Sequence, residues 1–193
     1  MKYKILLIIA IFCSGLTISQ SNLSDKKRVE SIIDSTNTNN VVLIQKFKVG
    51  ASIDEIWKVF TTKNGWESVF VPLAEVDFKI GGTIKSSYNK NARIGDSTTI
   101  VNNIINFVPK KVITLQAELS PHFPEFMKQD AKDFYNIIYF SSIDNATIEV
   151  TSYGIGYKNT AKYKALLDFF IKGNESSYLN LINYLETGKK VKF

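Results

Sequence analysis

The amino-acid sequence predicts an α+β fold in which a curved antiparallel sheet of about seven strands wraps around one long C-terminal helix, with two short helices after the first strand. Residues 41–82 predict a strand, two short helices and a second strand. Residues 83–157 then contain five β-rich segments separated by turn residues, which is typical of a meander. Residues 160–187 have helical periodicity and span about 40 Å, enough to cross a whole sheet. In a chain of 193 residues, these elements predict one domain of ordinary size.

The first predicted strand, residues 41–49, alternates between an apolar and a charged face. Leu43 and Phe47 lie on one face, whereas Lys46 and Lys48 lie on the other. This pattern indicates a strand with one side buried and the other side in water.

A helix is predicted directly after this strand. Ser52 is its predicted N-cap, and Glu55 three residues later completes a capping box. Ile56 and Phe60 follow at helical spacing, and Asn64-Gly65 is predicted to end the helix.

The second predicted strand, residues 75–80, also alternates, and places Val76, Phe78 and Ile80 on the inner face. Gly81-Gly82 allows a tight turn or a bulge after it. The remaining five strands are predicted at residues 83–88, 98–108, 112–119, 134–142 and 147–157.

The first 20 residues predict a cleaved secretory signal. Lys2 and Lys4 form a positive end, and an apolar run of about 14 residues follows, shorter than the ~20 residues that a membrane-spanning helix needs. Thr17 and Ser19 are small enough to flank a cleavage site. We therefore expect an exported protein, periplasmic or secreted, with no stable membrane span after cleavage.

Two polar segments flank the predicted domain of residues 41–188. Residues 21–40 predict a polar leader and linker, with a short helix over residues 23–33 capped by Ser24. Residues 189–193 form a basic tail, after Gly188 has ended the last helix.

Composition excludes several kinds of site. Cys13, in the signal, is the only cysteine, so the mature chain has no disulfide, thiol nucleophile or cysteine metal ligand. His122 is the only histidine, which excludes a histidine-rich metal site. Phosphate-binding and nucleophile-elbow motifs are also missing, and we predict no metal and no cofactor.

The positive charge of the chain does not predict a nucleic-acid partner. The formal net charge is +6, or +4 without Lys2 and Lys4. Only 2 of the 24 basic residues are arginine, the residue best suited to phosphate and base edges.

Four segments carry a resemblance to a known family: residues 51–57, 75–82, 106–112, and Gly173-Asn174 together with residues 185–188. They resemble the START-like superfamily, also called the SRPBCC or birch-pollen-allergen-like group. Within it, the chain is similar to the family of activators of the heat-shock-protein 90 ATPase, in its single-domain bacterial form. The resemblance implies the helix-grip fold over roughly residues 41–188 and supplies no catalytic signature. An exported protein would not meet a cytosolic chaperone, so the resemblance favours the fold over a co-chaperone role.

The last predicted helix has an apolar face that two polar residues interrupt. Phe170 and Leu181 mark this face, and Asn174 and Ser177 lie between them. Asn174 either bonds a strand or a structural water, or supplies a polar anchor inside an apolar pocket. Glycine is costly inside a helix, so Gly173 is predicted to have a packing or kink role.

The loop of residues 120–127 contains two prolines and several apolar side chains around His122. It is predicted to be an ordered loop packed on the surface or a lid over a cavity mouth; a catalytic role for His122 is the least favoured alternative. The nearby carboxylates Glu118, Asp130 and Asp133 are predicted to be solvated strand ends. Tyr135 and Tyr139 are predicted to share one face of their strand.

The leading functional hypothesis is a non-enzymatic binding protein that holds a small hydrophobic or amphipathic molecule or lipid in a cavity between sheet and helix. The first alternative is a protein-interaction module with a filled core and no cavity, and the second is an enzyme of the cyclase or hydrolase type. A cavity volume separates the first two, and a carboxylate or His122 in the cavity would favour the third. The candidate cavity residues are Trp66, Phe78, Tyr88, His122, Phe123, Tyr135, Tyr139, Phe170, Asn174 and Ser177.

Overall fold

The computed structural model describes residues 28–119 and 123–193, in which eight strands and four α-helices form. A 3₁₀ turn spans Ala131–Asp133. The strands are β1 (Val29–Asp34), β2 (Asn40–Gly50), β3 (Leu73–Val76), β4 (Thr83–Ser87), β5 (Ile100–Val108), β6 (Val112–Ala117), β7 (Tyr135–Ser142) and β8 (Thr147–Lys158). The helices are α1 (Ile53–Thr61), α2 (Lys63–Val69), α3 (Glu125–Gln129) and α4 (Ala161–Thr187).

All eight strands join one antiparallel sheet in the order β1-β2-β8-β7-β6-β5-β4-β3. The hairpins from β3 to β8 form the predicted meander, and β2 pairs with β8 to bring the two ends of the domain together. The long helix α4 packs on β1, β2 and α2. The predicted α+β architecture, a sheet around one long C-terminal helix, is confirmed.

The prediction of a helix over residues 23–33 is wrong for its described part, because residues 29–34 form strand β1. This strand pairs with β2 from Val29 opposite Phe47 to Asp34 opposite Val42. Arg28, just before it, forms an ion pair with Glu186 of α4, with 2.6 Å between Nη2 and Oε1. The edge of β2 provides hydrogen-bond partners for the backbone N–H and C=O groups of residues 29–34, which are rich in β-branched side chains. This pairing outweighs the weak local preference of residues 29–34 for helix. The predicted signal and residues 21–27 of the leader lie outside the described residues.

The second predicted strand is shorter than the sequence suggested, since β3 ends at Val76. Residues 77–82 form a turn instead, in which Lys79 and Gly82 donate backbone hydrogen bonds to Asp77 and Lys79. Ile80 is consequently 64% exposed and not inward-facing as predicted. The turn at Gly81-Gly82 forms as predicted: Gly81 has a φ of 77°, and a Cβ on Gly82 would lie 2.1 Å from the Asp77 carbonyl oxygen.

The capping box of α1 forms as predicted. The Ser52 hydroxyl accepts a hydrogen bond from the Glu55 backbone N–H, and the Glu55 carboxylate accepts one from the Ser52 N–H at 2.8 Å. The helix ends at Thr61 rather than at Gly65, because Thr62 caps the next helix, α2. Gly65 lies inside α2, where any Cβ would lie within 2.6 Å of the Lys58 and Val59 backbones, so it permits close packing of α1 on α2.

The main hydrophobic core lies where α1, α2 and the C-terminal half of α4 cover the sheet. Its buried members include Phe47, Ile56, Phe60, Phe140 and Leu181. Two smaller clusters lie under the N-terminal half of α4, one around Leu43 and Leu167 and one around Met127, Phe134 and Tyr163. Within the described ranges, none of the helices is long and apolar enough to cross a membrane.

Candidate ligand-binding cavity

A cavity of about 450 Å³ lies between the sheet and the N-terminal half of α4. Strands β2, β5, β6, β7 and β8, the segment of α3, and α4 all contribute to its wall. We call this space the first chamber. Its apolar wall includes Leu43, Leu115, Leu119, Met127, Phe134 and Phe170.

A second chamber of about 200 Å³ adjoins the first on the side of α2. Phe60, Trp66, Phe70 and Tyr178 line it, and the Trp66 indole N–H donates a hydrogen bond to the Phe60 carbonyl oxygen at 2.9 Å. Residues that line both chambers form what we call the waist. They are Tyr88, Ile100, Asn102, Leu115, Asn136, Asn174 and Ser177.

A chain of hydrogen bonds fixes the orientation of Asn174 on α4. The Asn174 amide nitrogen donates to Gln45 Oε1 at 2.8 Å, and Gln45 Nε2 donates to Ser31 Oγ at 3.0 Å. Ser31 in turn donates to the carboxylate of Glu175 at 2.7 Å. Asn174 therefore bonds a strand, which is one of the two predicted alternatives, and it also lines the cavity. Its side-chain oxygen has no protein partner within the described ranges, and stays available to accept a hydrogen bond.

The other two waist asparagines lie on the sheet. Asn136 of β7 accepts a hydrogen bond from the Ser152 hydroxyl at 2.7 Å, which leaves its amide nitrogen without a partner among the described residues. Asn102 of β5 has no side-chain hydrogen bond within the same part of the chain, and lies between the inward residues Ile100 and Ile104. The waist therefore offers both donors and acceptors.

Tyr157 adds a polar group to the first chamber. Its ring packs against those of Phe134 and Phe170, with centroids 5.3 Å and 6.1 Å away. Its hydroxyl has no hydrogen-bond partner in the described part of the protein. Burial, with Tyr178 nearby, raises the pKa of Tyr157 to about 12, so the hydroxyl stays neutral at physiological pH.

The described residues that line the two chambers include no lysine, arginine, aspartate, glutamate or histidine. Their ionisable members are tyrosines: Tyr88, Tyr135, Tyr157 and Tyr178. Burial also raises the pKa of Tyr178, against a smaller opposing effect of the Ser152 hydroxyl. The chambers thus present apolar surface and neutral hydrogen-bonding groups.

Asp130 holds the segment that closes one side of the first chamber. Its carboxylate accepts a hydrogen bond from Tyr163 on α4 at 2.8 Å and pairs with Lys158 at the end of β8 at 2.6 Å. The hydrogen bonds from Lys158 and Tyr163 hold the pKa of Asp130 below its usual value. The prediction that Asp130 is a solvated strand end is therefore wrong, since its side chain is only 14% exposed. Its role is to fix α3 against β8 and α4.

The structure brings most of the predicted cavity residues together. Tyr88, Phe123, Tyr135, Phe170, Asn174 and Ser177 line the first chamber. Trp66 lines the second. Ligand contact by these side chains stays a prediction. His122 lies outside the described residues.

Two predicted cavity residues lie elsewhere. Tyr139 is 47% exposed and packs edge-on against Tyr153, because the inner face of β7 carries Ile138 and Phe140 instead. Phe78 lies in the turn after β3 and packs in the main core against Trp57 and Phe107, at 5.7 Å and 4.7 Å between ring centroids.

Several polar residues of the cavity were not predicted from the sequence, although one pattern marks them. Each interrupts the apolar inner face of a strand: Gln45 follows Leu43 and precedes Phe47, and Asn102 follows Ile100 and precedes Ile104. Gln45 is buried despite its polar side chain. The others are Asn136, Ser152 and Tyr157.

Gly173 has no close-packing role, in contrast to one of the two predictions for it. A Cβ built at this position would meet no atom within 4 Å. The residue lies at the rim of the first chamber, beside Phe169, which is 69% exposed. The missing side chain leaves open space where the chamber meets solvent.

No group of three or more His, Cys, Asp and Glu side chains that could hold a metal ion occurs in the described part of the chain. Asp130, which lies beside the first chamber, is already paired with Lys158 and Tyr163.

No protein-family model and no curated protein matches this sequence. Solved structures do match. The Aha1 dimer of Colwellia psychrerythraea aligns with a TM-score of 0.60 and 18% identity, over 77% of this chain and 98% of that chain. This protein therefore has the same fold as that structure, the predicted helix-grip fold.

Two further helix-grip structures align similarly. CalU16 of Micromonospora echinospora has a TM-score of 0.58 and 15% identity, over 86% of this chain and 78% of that chain. Protein Ms6760 of Mycobacterium smegmatis has a TM-score of 0.58 and 17% identity, over 84% and 98% of the two chains. At such identities the likeness establishes the fold, while function has to be argued from the cavity.

Proposed function

We propose that this helix-grip protein binds a small, uncharged and mainly apolar molecule non-covalently in the first chamber. The observation that carries the proposal is a cavity of about 450 Å³ whose described lining contains no charged side chain. Small-molecule sites usually occupy about 300–1,000 Å³ and combine apolar walls with a few polar groups. The polar groups here are the waist asparagines and Tyr157.

The cavity favours ligand binding over the interaction-module alternative, which predicted a filled core. Interiors of folded proteins are close-packed, and voids larger than a few water molecules are rare. Apolar side chains that face an open chamber make fewer van der Waals contacts than apolar side chains in the main core. A ligand that fills the chamber restores those contacts.

The chemistry of the lining also favours binding over acid–base catalysis. Carboxylates and histidine, the usual proton carriers, do not occur in the described lining, and the raised pKa of Tyr157 keeps that hydroxyl protonated. The three waist asparagines neither gain nor lose protons near neutral pH. Such a lining is suited to orienting a neutral molecule.

We also propose that the protein is exported, and therefore meets its ligand outside the cytoplasm. Support comes from residues 1–20, with their positive end, short apolar run and small residues before position 20. The mass of the protein recovered from an exporting host tests this. Export with cleavage predicts a chain that starts near Gln20 or Ser21, whereas a mass that retains residues 1–20 would contradict it.

Binding can be tested with N-phenylnaphthylamine, an uncharged apolar fluorophore whose emission rises in apolar surroundings. We expect saturable binding of one molecule per chain. Gly173→Trp places an indole at the rim, and Ser177→Phe places a ring at the waist, so both should weaken binding at least tenfold. Gly173→Ala is the matched control, because it changes the same residue without filling the chamber, and it should bind the probe as wild type does.

A lack of saturable binding by the wild-type protein would overturn the proposal. Equal binding by wild type and both filling variants would place the probe elsewhere and would also count against this cavity. Circular dichroism of each variant distinguishes a filled chamber from a misfolded chain.

A further inference from the structure

Among the described residues, the cavity-lining side-chain amides that still have an atom without a protein partner all lie at the waist. Five of the seven residues that line both chambers are polar: Tyr88, Asn102, Asn136, Asn174 and Ser177. Beyond the waist, the first chamber is walled mainly by apolar side chains such as Leu43, Leu119 and Phe134. Its Gln45 and Ser152 already bond other side chains, and Tyr135 and Tyr157 add two hydroxyls. The second chamber is walled by Phe60, Trp66, Phe70 and Val71. A ring of side-chain amides thus lies between two mainly apolar compartments.

We propose that the ligand is an uncharged, elongated molecule whose hydrogen-bonding group lies in its middle, between two apolar arms. This rests on the proposed function, and names the class of molecule that the same cavity binds. An amide is the group that the waist fits best, and each arm would occupy one chamber.

The hydrogen bonds already made at the waist determine what it can still offer. The amide nitrogen of Asn174 already donates a hydrogen bond to Gln45, so the side-chain oxygen of Asn174 can accept one from a ligand. The side-chain oxygen of Asn136 already accepts a hydrogen bond from Ser152, so the amide nitrogen of Asn136 can donate one to a ligand. A secondary amide has one donor and one acceptor, and matches this pair. Buried polar groups without partners are costly, so such a ligand gains over a hydrocarbon of the same shape.

A charged ligand would not gain in the same way. Moving a carboxylate or an ammonium group from water to the waist requires a compensating charge, and the described lining has none. A charged headgroup would have to stay at the rim, which would leave the waist asparagines unpaired.

The test compares three probes of similar length, delivered from cyclodextrin and followed by calorimetry on the purified chain. N-hexylhexanamide carries a central amide, tridecane has none, and dodecanoate carries a terminal charge. We expect the amide to bind at least tenfold more tightly than either of the other two. This comparison uses wild-type protein alone, and so does not depend on any variant folding.

Asn102→Leu then isolates the contribution of the waist. Asn102 has no protein partner among the described residues, so its replacement by a side chain of similar size should leave no other group unpaired. Affinity for N-hexylhexanamide should fall about threefold to tenfold, the usual value of one hydrogen bond, while affinity for tridecane should not fall. The matched control is Asn103→Leu on the opposite face of β5, where the amide bonds Glu118 at 3.2 Å; it should bind all three probes as wild type does.

The outcomes separate this inference from the proposed function. Equal affinity for tridecane and N-hexylhexanamide, or tighter binding of dodecanoate, would overturn the inference while an apolar ligand site remained. Binding of N-phenylnaphthylamine without binding of N-hexylhexanamide would do the same. If none of these probes binds, the proposed function falls as well.

Discussion

The two halves of α4 cover the same sheet, yet the space beneath them is filled differently. Under the C-terminal half, Tyr178, Leu181 and Ile182 pack into the main core, where α1 and α2 supply further side chains. Under the N-terminal half, Leu167 and Phe170 belong to small clusters that border the first chamber. The C-terminal half therefore serves mainly stability and borders only the smaller second chamber, whereas the N-terminal half leaves the larger space.

The difference comes from what covers the sheet beside the helix. Two helices of nine and seven residues, α1 and α2, complete the closed half. The open half is completed by α3, a helix of five residues, and its flanking turns. This short segment is fixed by Asp130 and leaves a chamber beneath α4. The first chamber exists here because α3, which covers this part of the sheet beside α4, is short.

The largest contrast is expected from leucine-to-alanine changes in the two halves. Leu181→Ala removes a fully buried side chain from the closed core and should cost about 3–5 kcal/mol in the free energy of unfolding. Leu43→Ala enlarges a chamber that already exists and should cost about 2 kcal/mol, near the lower end for such changes. Urea unfolding of both variants measures the difference. A larger cost for Leu43→Ala would contradict the contrast between a closed and an open half.

A second effect of intermediate size should follow from the Asp130 anchor. Because the folded state lowers the pKa of Asp130, the ionised carboxylate stabilises the protein above its unfolded pKa of about 4, and this contribution is lost as pH falls through the folded value. Asp130→Asn should cost about 1–2 kcal/mol at neutral pH, since Lys158 and Tyr163 lose a charged acceptor.

The measurement for this anchor is the unfolding free energy of wild type and Asp130→Asn between neutral pH and pH ~3. The two curves should converge as the pH falls below about 4. A difference that stays constant with pH would mean that the carboxylate charge at Asp130 has no part in holding α3. Glu118→Gln, at an exposed strand end, is the control and should follow wild type.

The smallest effect is expected at the rim of the open half. Gly173→Ala adds a methyl group that meets no atom within 4 Å and improves helix propensity, so it should stabilise the protein by about 1 kcal/mol. Gly156→Ala provides the contrast, because Gly156 has a φ of 94° and a Cβ there would lie 2.1 Å from the Asp133 carbonyl oxygen. Thermal unfolding should show opposite shifts. A loss of stability in Gly173→Ala would show that the rim is packed after all.

Periodicity along the chain was sufficient to predict most of the fold. The capping box at Ser52 and the apolar stripe of α4 are local patterns, and both form as predicted. Strand β1 was not predicted, because it is stabilised by its pairing with β2 and by the ion pair between Arg28 and Glu186. These contacts join distant parts of the chain. Local preference does not reveal such pairing.

The site was predictable where one face of an element is distinctive. Asn174 stands out in the apolar stripe of a long helix, and its cavity position followed from helical spacing. Strand β7 gives no such signal, because apolar residues occupy both of its faces. Its phase is set by pairing with β6, where Tyr139 lies opposite Val112, and this register places Asn136 inside and Tyr139 outside.

The most direct test of a ligand cavity under the N-terminal half of α4 is native mass spectrometry of the protein, purified without detergent from an exporting host. A ligand cavity predicts an added mass that is lost on denaturation, or that is gained on incubation with a lipid extract. Gly173→Trp should reduce this added mass, and Gly173→Ala should retain it. A wild-type chain that shows only its own mass before and after incubation would contradict a ligand cavity at this place.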